Sequence, residues 1–191
     1  LDNGGAAVDA SSLSFDHAAA IDPLVVERFE VLRGPAALLY GGSATGGVVN
    51  AIDNRVPRTA LSGLGGRAEL RLGGAARERA GAAVLEGGAG GFNWHADVAA
   101  RKSRDLRVPR VTPPGGEPAR DRVVNSAGDS QAGAIGASWA DADGFIGAAL
   151  DTYRNDYGVT VEPDVTIDMK RDRLQFMGER KLSGPIERIE W

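Results

Sequence analysis

Side chains along Phe92–Arg101 alternate in character: Phe92, Trp94, Ala96, Val98 and Ala100 share one parity, and Asn93, His95, Asp97 and Arg101 the other. Successive strand side chains point to opposite faces, so this period of two predicts a strand with one apolar and one polar side. Arg67, Glu69 and Arg71 set against Ala68, Leu70 and Leu72 repeat the pattern. Phe145–Arg154 and Val165–Lys181 read as longer strands with weaker alternation. In the last of these the apolar parity changes between Val165, Ile167, Met169 and Leu174, Phe176, which predicts a bulge near Arg171–Arg173.

The connections alternate in length. Gly88–Gly91, Asp141–Gly144 and Ser183–Pro185 are short, Asn155–Asp164 is intermediate, and Lys102–Ala127 is long and holds Pro113-Pro114-Gly115-Gly116. Long loops at one end of the strands and tight turns at the other are the asymmetry of a transmembrane barrel, with apolar residues facing lipid and polar ones the lumen. A soluble sandwich shares the alternation, so the pattern by itself leaves both open.

Before Pro57 the chain reads differently. Val25–Leu32, rich in β-branched residues, predicts a strand. Pro35 suits the first position of a short helix, Ala36–Leu39, which Gly41 and Gly42 end. Gly47–Ile52 is short enough for a strand buried on both faces. The uncharged run Gly34–Ile52 approaches the ~20 residues of a spanning helix. Its glycines and Pro35 exclude that, because each Gly disfavours helix by ~1 kcal/mol relative to Ala. Six strands are thus expected, with the start of a seventh at Ile186–Trp191, where a sheet ending in mid-strand looks truncated.

Charge and composition narrow the function. Lys+Arg 22 against Asp+Glu 26 gives a formal net charge of −4, which is no electrostatic footprint for nucleic acid. Without cysteine there is no disulfide framework and no thiol nucleophile. The 27 Gly among 191 residues are about twice the usual ~7%, and they concentrate in the turns. Two enzyme readings of those glycines fail. GGSATGG lacks the Gly-Lys-Ser/Thr ending of a phosphate-binding loop, and Thr45 stands where a nucleophile elbow around Ser43 needs glycine. His17 and His95 fall in different regions, and nothing marks a nucleophile and base pair, so the chain is not read as an enzyme and no catalytic cofactor is expected.

The segment Val25–Asn50, VVERFEVLRGPAALLYGGSATGGVVN, resembles the end of the plug domain of TonB-dependent outer-membrane receptors, in which a strand of the form VERIEVLRGP leads to a short helix, LYG, a small-residue loop and GGVVN. The resemblance implies a mainly β fragment. Residues 1–58 would be the C-terminal part of the plug, a small mixed α/β domain. Residues 59–191 would be the first antiparallel strands of a large transmembrane β-barrel. A plugged barrel of roughly 22 strands at ~9–11 residues each is larger than this chain. The implied function is uptake of a scarce metal or metal complex across the bacterial outer membrane. Its partners would be TonB, reached through a plug segment outside this chain, outer-membrane lipid and the metal or metal-chelate ligand. The alternative is a secreted or surface β-rich binding module without transport.

Three charges and one pair of potential ligands bear on that function. Glu27, Glu30 and Arg33 read from the residues as a charged strand face, and in the family charges of this strand pair with the barrel, which makes them expected plug–barrel contacts. Asp16-His17 joins two residue types that suit zinc or another divalent first-row metal, although two ligands equally describe a surface Asp beside a hydrogen-bonded His. SFDHA followed by AIDPL resembles the zinc-uptake branch, which implies Asp16 and His17 as ligands of transported zinc, with ferric siderophore the next cargo. The loop YGVTVEPDV lacks the histidines that zinc-receptor loops carry, and His95 reads as a hydrated lumen residue.

Overall fold

A computed structural model describes residue 3, residue 21 and residues 23–34, 47–112 and 118–191. Asp16, His17, the expected helix Ala36–Leu39 and the Pro113–Gly116 run lie outside them. β1 (Arg28–Arg33) and β2 (Gly47–Ile52) form an antiparallel pair with Val31 opposite Val49. β2 keeps the expected bounds. β1 begins three residues after the expected Val25, which is instead buried in the turn before it.

The rest is one antiparallel sheet built from β3 (Gly63–Gly73), β4 (Glu78–Ala89), β5 (Phe92–Ser103), β8 (Gly128–Asp141), β9 (Gly144–Gly158), β10 (Thr166–Lys181) and β11 (Arg188–Glu190). Its neighbours follow chain order, with β6 (Arg107–Val111) and β7 (Arg120–Arg122) forming a separate hairpin inside the β5–β8 connection. The sheet is open, with β3 and β11 at its edges. Residues 90–91, 142–143 and 182–187 turn at one end, while 74–77, 104–127 and 159–165 connect at the other. The length asymmetry holds for two of the three pairs of connections. β4 and β8 escaped the sequence reading because they are rich in Ala and Gly, which strands disfavour and which carry little polarity signal.

The two faces of the sheet are inverted relative to a soluble protein. On β5, Asn93, His95 and Asp97 are buried, while Phe92 and Val98 are exposed. Register extends the outward apolar face across the sheet: Ala96 lies opposite Ile135, Ile135 opposite Leu150, and Leu150 opposite Leu174. β10 carries no bulge, since its pairing with β9 runs unbroken from Thr166↔Gly158 to Arg180↔Gly144. Its apolar parity changes for another reason. Leu174 and Phe176 share the outward face with Asp168, Lys170 and Asp172, and the charged three lie nearer the long-connection end. The outward face passes from an apolar band to a charged zone while the pleat stays in register.

After Ile52 the chain lies against the inner face of this wall. A Cβ on Gly136 would collide with the Arg55 carbonyl, and one on Gly147 would stand 2.6 Å from Val56 Cγ1. Ser138 Oγ donates to Pro57 O at 2.5 Å, and Leu61 N donates to Asn93 Oδ1 at 2.7 Å. Small inner residues on β8 and β9 thus make room for a backbone. At the long-connection end, Asn125 Nδ2 lies 3.2, 3.2 and 2.6 Å from the carbonyl oxygens of Val159, Glu162 and Val165. The β5–β8 and β9–β10 connections therefore meet on one side-chain amide.

Gly136→Val is expected to destabilise the full-length protein by about 1–3 kcal/mol, as overpacking does. Gly133→Val, on the outward face where a Cβ meets no heavy atom closer than 3.7 Å, should leave the denaturant midpoint nearly unchanged. Equal midpoints for the two variants would refute the seating of residues 53–57 against the wall.

Candidate functional site

The segment that leaves β2 carries Asp53, Asn54 and Arg55, and each reaches a partner. Asp53 Oδ1 accepts from Arg55 N at 3.1 Å, a local turn bond that aims the arginine side chain at the wall. Asn3 bonds Asp53 in both directions, at 2.9 Å from Nδ2 and 3.1 Å to Oδ1. Arg55 forks onto Asp97, Nε to Oδ2 at 2.9 Å and Nη2 to Oδ1 at 3.1 Å. Its Nη1 lies 3.4 Å from Asp151 and 3.5 Å from Asp53. The planar guanidinium is suited to this role because its fixed fork satisfies a carboxylate with two parallel bonds.

The wall completes the cluster. Asp151, on β9, accepts from Arg173 Nε at 2.7 Å and Arg171 Nη2 at 3.0 Å, both on β10. His95 stands between Glu86 and Asp97, at 2.8 Å from Nδ1 and 2.9 Å from Nε2. Both contacts are hydrogen bonds when the ring carries two protons. Asn54 Nδ2 donates to the same Glu86 oxygen at 2.8 Å. His95 is therefore buried and bonded on both sides, which corrects its reading as a hydrated lumen residue.

Burial alone works against the Arg55 charge. The hydrogen bond and charge of Asp97, followed by the charges of Asp53 and Asp151, outweigh it and hold the guanidinium above its ordinary pKa. The side chains of Arg55, Asp97 and Asp151 are 6%, 0% and 1% exposed, so little water screens them. Such a cluster locks two units together; it offers no nucleophile. Among the described residues no group of three or more His, Asp or Glu side chains is arranged to hold a metal ion.

The expected contact residues sit one strand earlier. Glu30 accepts from Arg28 Nε at 3.2 Å and Asn50 Nδ2 at 3.4 Å, both within the β1–β2 unit. Glu27 bonds Ile52 O through its backbone N–H at 2.8 Å, and the Glu27 and Arg33 side chains are exposed. Among the described hydrogen bonds and ion pairs, none joins these three side chains to the seven-stranded sheet. Sequence reasoning passed over Asp53, Asn54 and Arg55. The signal was the polar triplet directly after GGVVNAI, together with carboxylates placed inside strands that otherwise hold small or apolar residues.

Comparison with known proteins shows what the chain resembles. Residues 3–48 match the TonB-dependent Receptor Plug Domain family. These residues carry the sequence signature of a TonB-dependent receptor plug. The chain is 45% identical over 42 residues to the ferrichrome outer membrane transporter/phage receptor of Escherichia coli, a match covering 22% of this chain and 6% of that protein. It is 63% identical over 35 residues to the ferric enterobactin receptor PirA of Pseudomonas aeruginosa, covering 18% and 5%. The whole chain superposes on the copper transporter OprC with a TM-score of 0.74 at 20% identity, covering 100% of this chain and 28% of that one. The chain thus spans a small part of the relatives it matches. Its fold is mainly β, with the plug match over residues 3–48 followed by an open antiparallel sheet, and the matched family comprises outer-membrane transporters, not enzymes.

Arg55→Gln leaves Asp97 and Asp151 buried without their shared cation, and removing one partner of a buried pair costs about 3–5 kcal/mol. Unfolding of the full-length receptor in detergent should show that loss. Arg28→Gln, which breaks only the exposed pair with Glu30, should move the midpoint little. Equal shifts for the two would overturn the ranking.

Proposed function

We propose that this chain is the plug-to-wall portion of a receptor that takes up a scarce metal or metal complex across the outer membrane with energy delivered by TonB. The supporting observation is the inversion of the sheet's faces. Leu70, Leu72, Ile135, Leu174 and Phe176 are 85%, 82%, 62%, 57% and 67% exposed on the outward side, while the inward side buries Asn93, His95, Asp97 and Asp151. A soluble module cannot leave such a continuous apolar surface in water. A membrane wall requires it, with polar residues turned to the lumen. Trp139 lies opposite Phe92 and Ile146 beside the short turns, where an aromatic girdle belongs.

In this reading the long connections face outward, and the cargo binds between them and the plug. TonB draws on a plug segment upstream, the plug shifts within the barrel, and the cargo passes. Two relatives are named for ferrichrome and ferric enterobactin, and the structural neighbour for copper. For this chain we place zinc first on the sequence SFDHAAAIDPL, with Asp16 and His17 as two of its ligands, and a ferric siderophore second. Plug and barrel divide near residue 58, and Glu27, Glu30 and Arg33 are proposed to meet barrel strands outside this chain.

Uptake of radiolabelled zinc and ferric siderophore by cells expressing the full-length receptor, with and without TonB, tests the function. TonB-dependent accumulation and recovery in the outer-membrane fraction are expected. Recovery as a secreted protein that binds but does not transport would replace this reading with the binding module. For the cargo, Asp16→Ala and His17→Ala should each weaken calorimetric zinc affinity at least tenfold, and unchanged affinity would remove the pair from the site.

A further inference from the structure

Two carboxylates of the wall are each held twice, and His95 takes part in both holds. Asp97 Oδ2 lies 2.9 Å from Arg55 Nε and 2.9 Å from His95 Nε2. Glu86 Oε1 lies 2.8 Å from Asn54 Nδ2 and 2.8 Å from His95 Nδ1. Consecutive residues of the segment 53–57 thus grip two carboxylates that a single imidazole joins. Register shows what else faces the ring. Glu86 on β4 and Gly136 on β8 lie directly opposite His95, so β8 brings no charge there. On β3, Gly65 lies opposite Glu86, and Arg67 stands one row further along, opposite Val84.

The charges balance only with a protonated ring. The network joins four carboxylates, Asp53, Glu86, Asp97 and Asp151, to three guanidiniums, Arg55, Arg171 and Arg173. An imidazolium at His95 supplies the fourth positive charge and gives each ring nitrogen a hydrogen to donate. A neutral ring has one hydrogen for two carboxylates. It keeps that hydrogen on Nε2, because the Asp97 side chain is 0% exposed and has no water to turn to. Glu86 is 23% exposed and has. Nδ1 and Glu86 Oε1 then confront each other with lone pairs, and the carboxylate is driven outward.

We propose that His95 is a pH-operated latch on the segment that joins the plug match to the sheet. While the ring holds both protons, Asn54 and Arg55 are both anchored. As pH rises through the titration of the imidazole, Glu86 leaves Nδ1 and its hold on Asn54 goes with it, whereas Arg55 keeps its fork on Asp97. Residues 53–56 then loosen at one arm without leaving the wall. Histidine is the side chain suited to this, since its charge changes near neutral pH while carboxylates and guanidiniums keep theirs. The latch needs no particular cargo; it goes beyond the uptake reading and rests on the seating of residues 53–57.

The test is hydrogen exchange at the backbone amides of residues 53–56 in the full-length protein purified in detergent, read by mass spectrometry and corrected for the intrinsic rate at each pH. Measurements at about pH 6 and about pH 9.5 bracket the range in which a histidine loses its proton. Protection in the parent should fall roughly tenfold between them, the scale of a lost hydrogen bond to a charged group. His95→Gln, which has one donor group for the two carboxylates, should show the weaker protection at both pH values. Glu86→Gln should show the stronger protection at both, because its amide donates to a neutral Nδ1 while its oxygen still accepts from Asn54. The two variants thus lose the pH response in opposite directions, and if His95→Gln fails to fold, Glu86→Gln decides alone. Protection in the parent that does not change with pH would overturn the latch, as would a parental fall persisting in Glu86→Gln.

Discussion

A wall one strand thick cannot hide anything within itself. The carboxylates Asp97 and Asp151, which β5 and β9 turn away from the apolar band, share a cation supplied from outside the sheet, Arg55. Its fork on Asp97, with Asp53 and Asp151 close by, neutralises carboxylates that would otherwise be stranded out of water, where an unpaired charge is heavily penalised. The rest of the arrangement depends on that contact. Asp151 can hold Arg171 and Arg173 together, and His95 can link Glu86 to Asp97, because the segment carrying Asn54 and Arg55 is pressed against them.

Shape prepares for charge. The arginine reaches its carboxylates only because the backbone around it approaches the wall at Gly136 and Gly147 and is pinned by Ser138 and Asn93. This accounts for the Ala- and Gly-rich β8 and β9. The inner faces of these strands are shaped for a chain lying across them, and their outer faces need only be apolar. Glycine content that seems at first to belong to turns is thus partly a property of a contact surface.

Much of this was legible before any coordinates. The period of two in Phe92–Arg101 and the unequal connections gave the strands and their sidedness, because a pleat writes its faces into alternate residues. β4 and β8 were not legible, since alanine and glycine on both parities leave no alternation to read. The parity change in β10 was visible and misattributed. A strand that rises out of an apolar band changes the character of both faces at once, and a local bulge imitates the same signature in sequence. The charge cluster was only half legible: His95 and Asp97 stood out as polar positions on a strand, but nothing local says that residue 55 meets residues 97 and 151. That information lives in the register of the sheet and in the path of the segment crossing it.

The amide of Asn125 has a consequence for the outer surface. Three carbonyl oxygens of residues 159–165 converge on a side chain that belongs to the preceding long connection, and an NH2 group has only two hydrogens to share among them. The two connections therefore have a common fulcrum. The position of one connection is thus tied to that of the other through one side-chain amide and backbone carbonyls, whatever side chains the loops present to solvent.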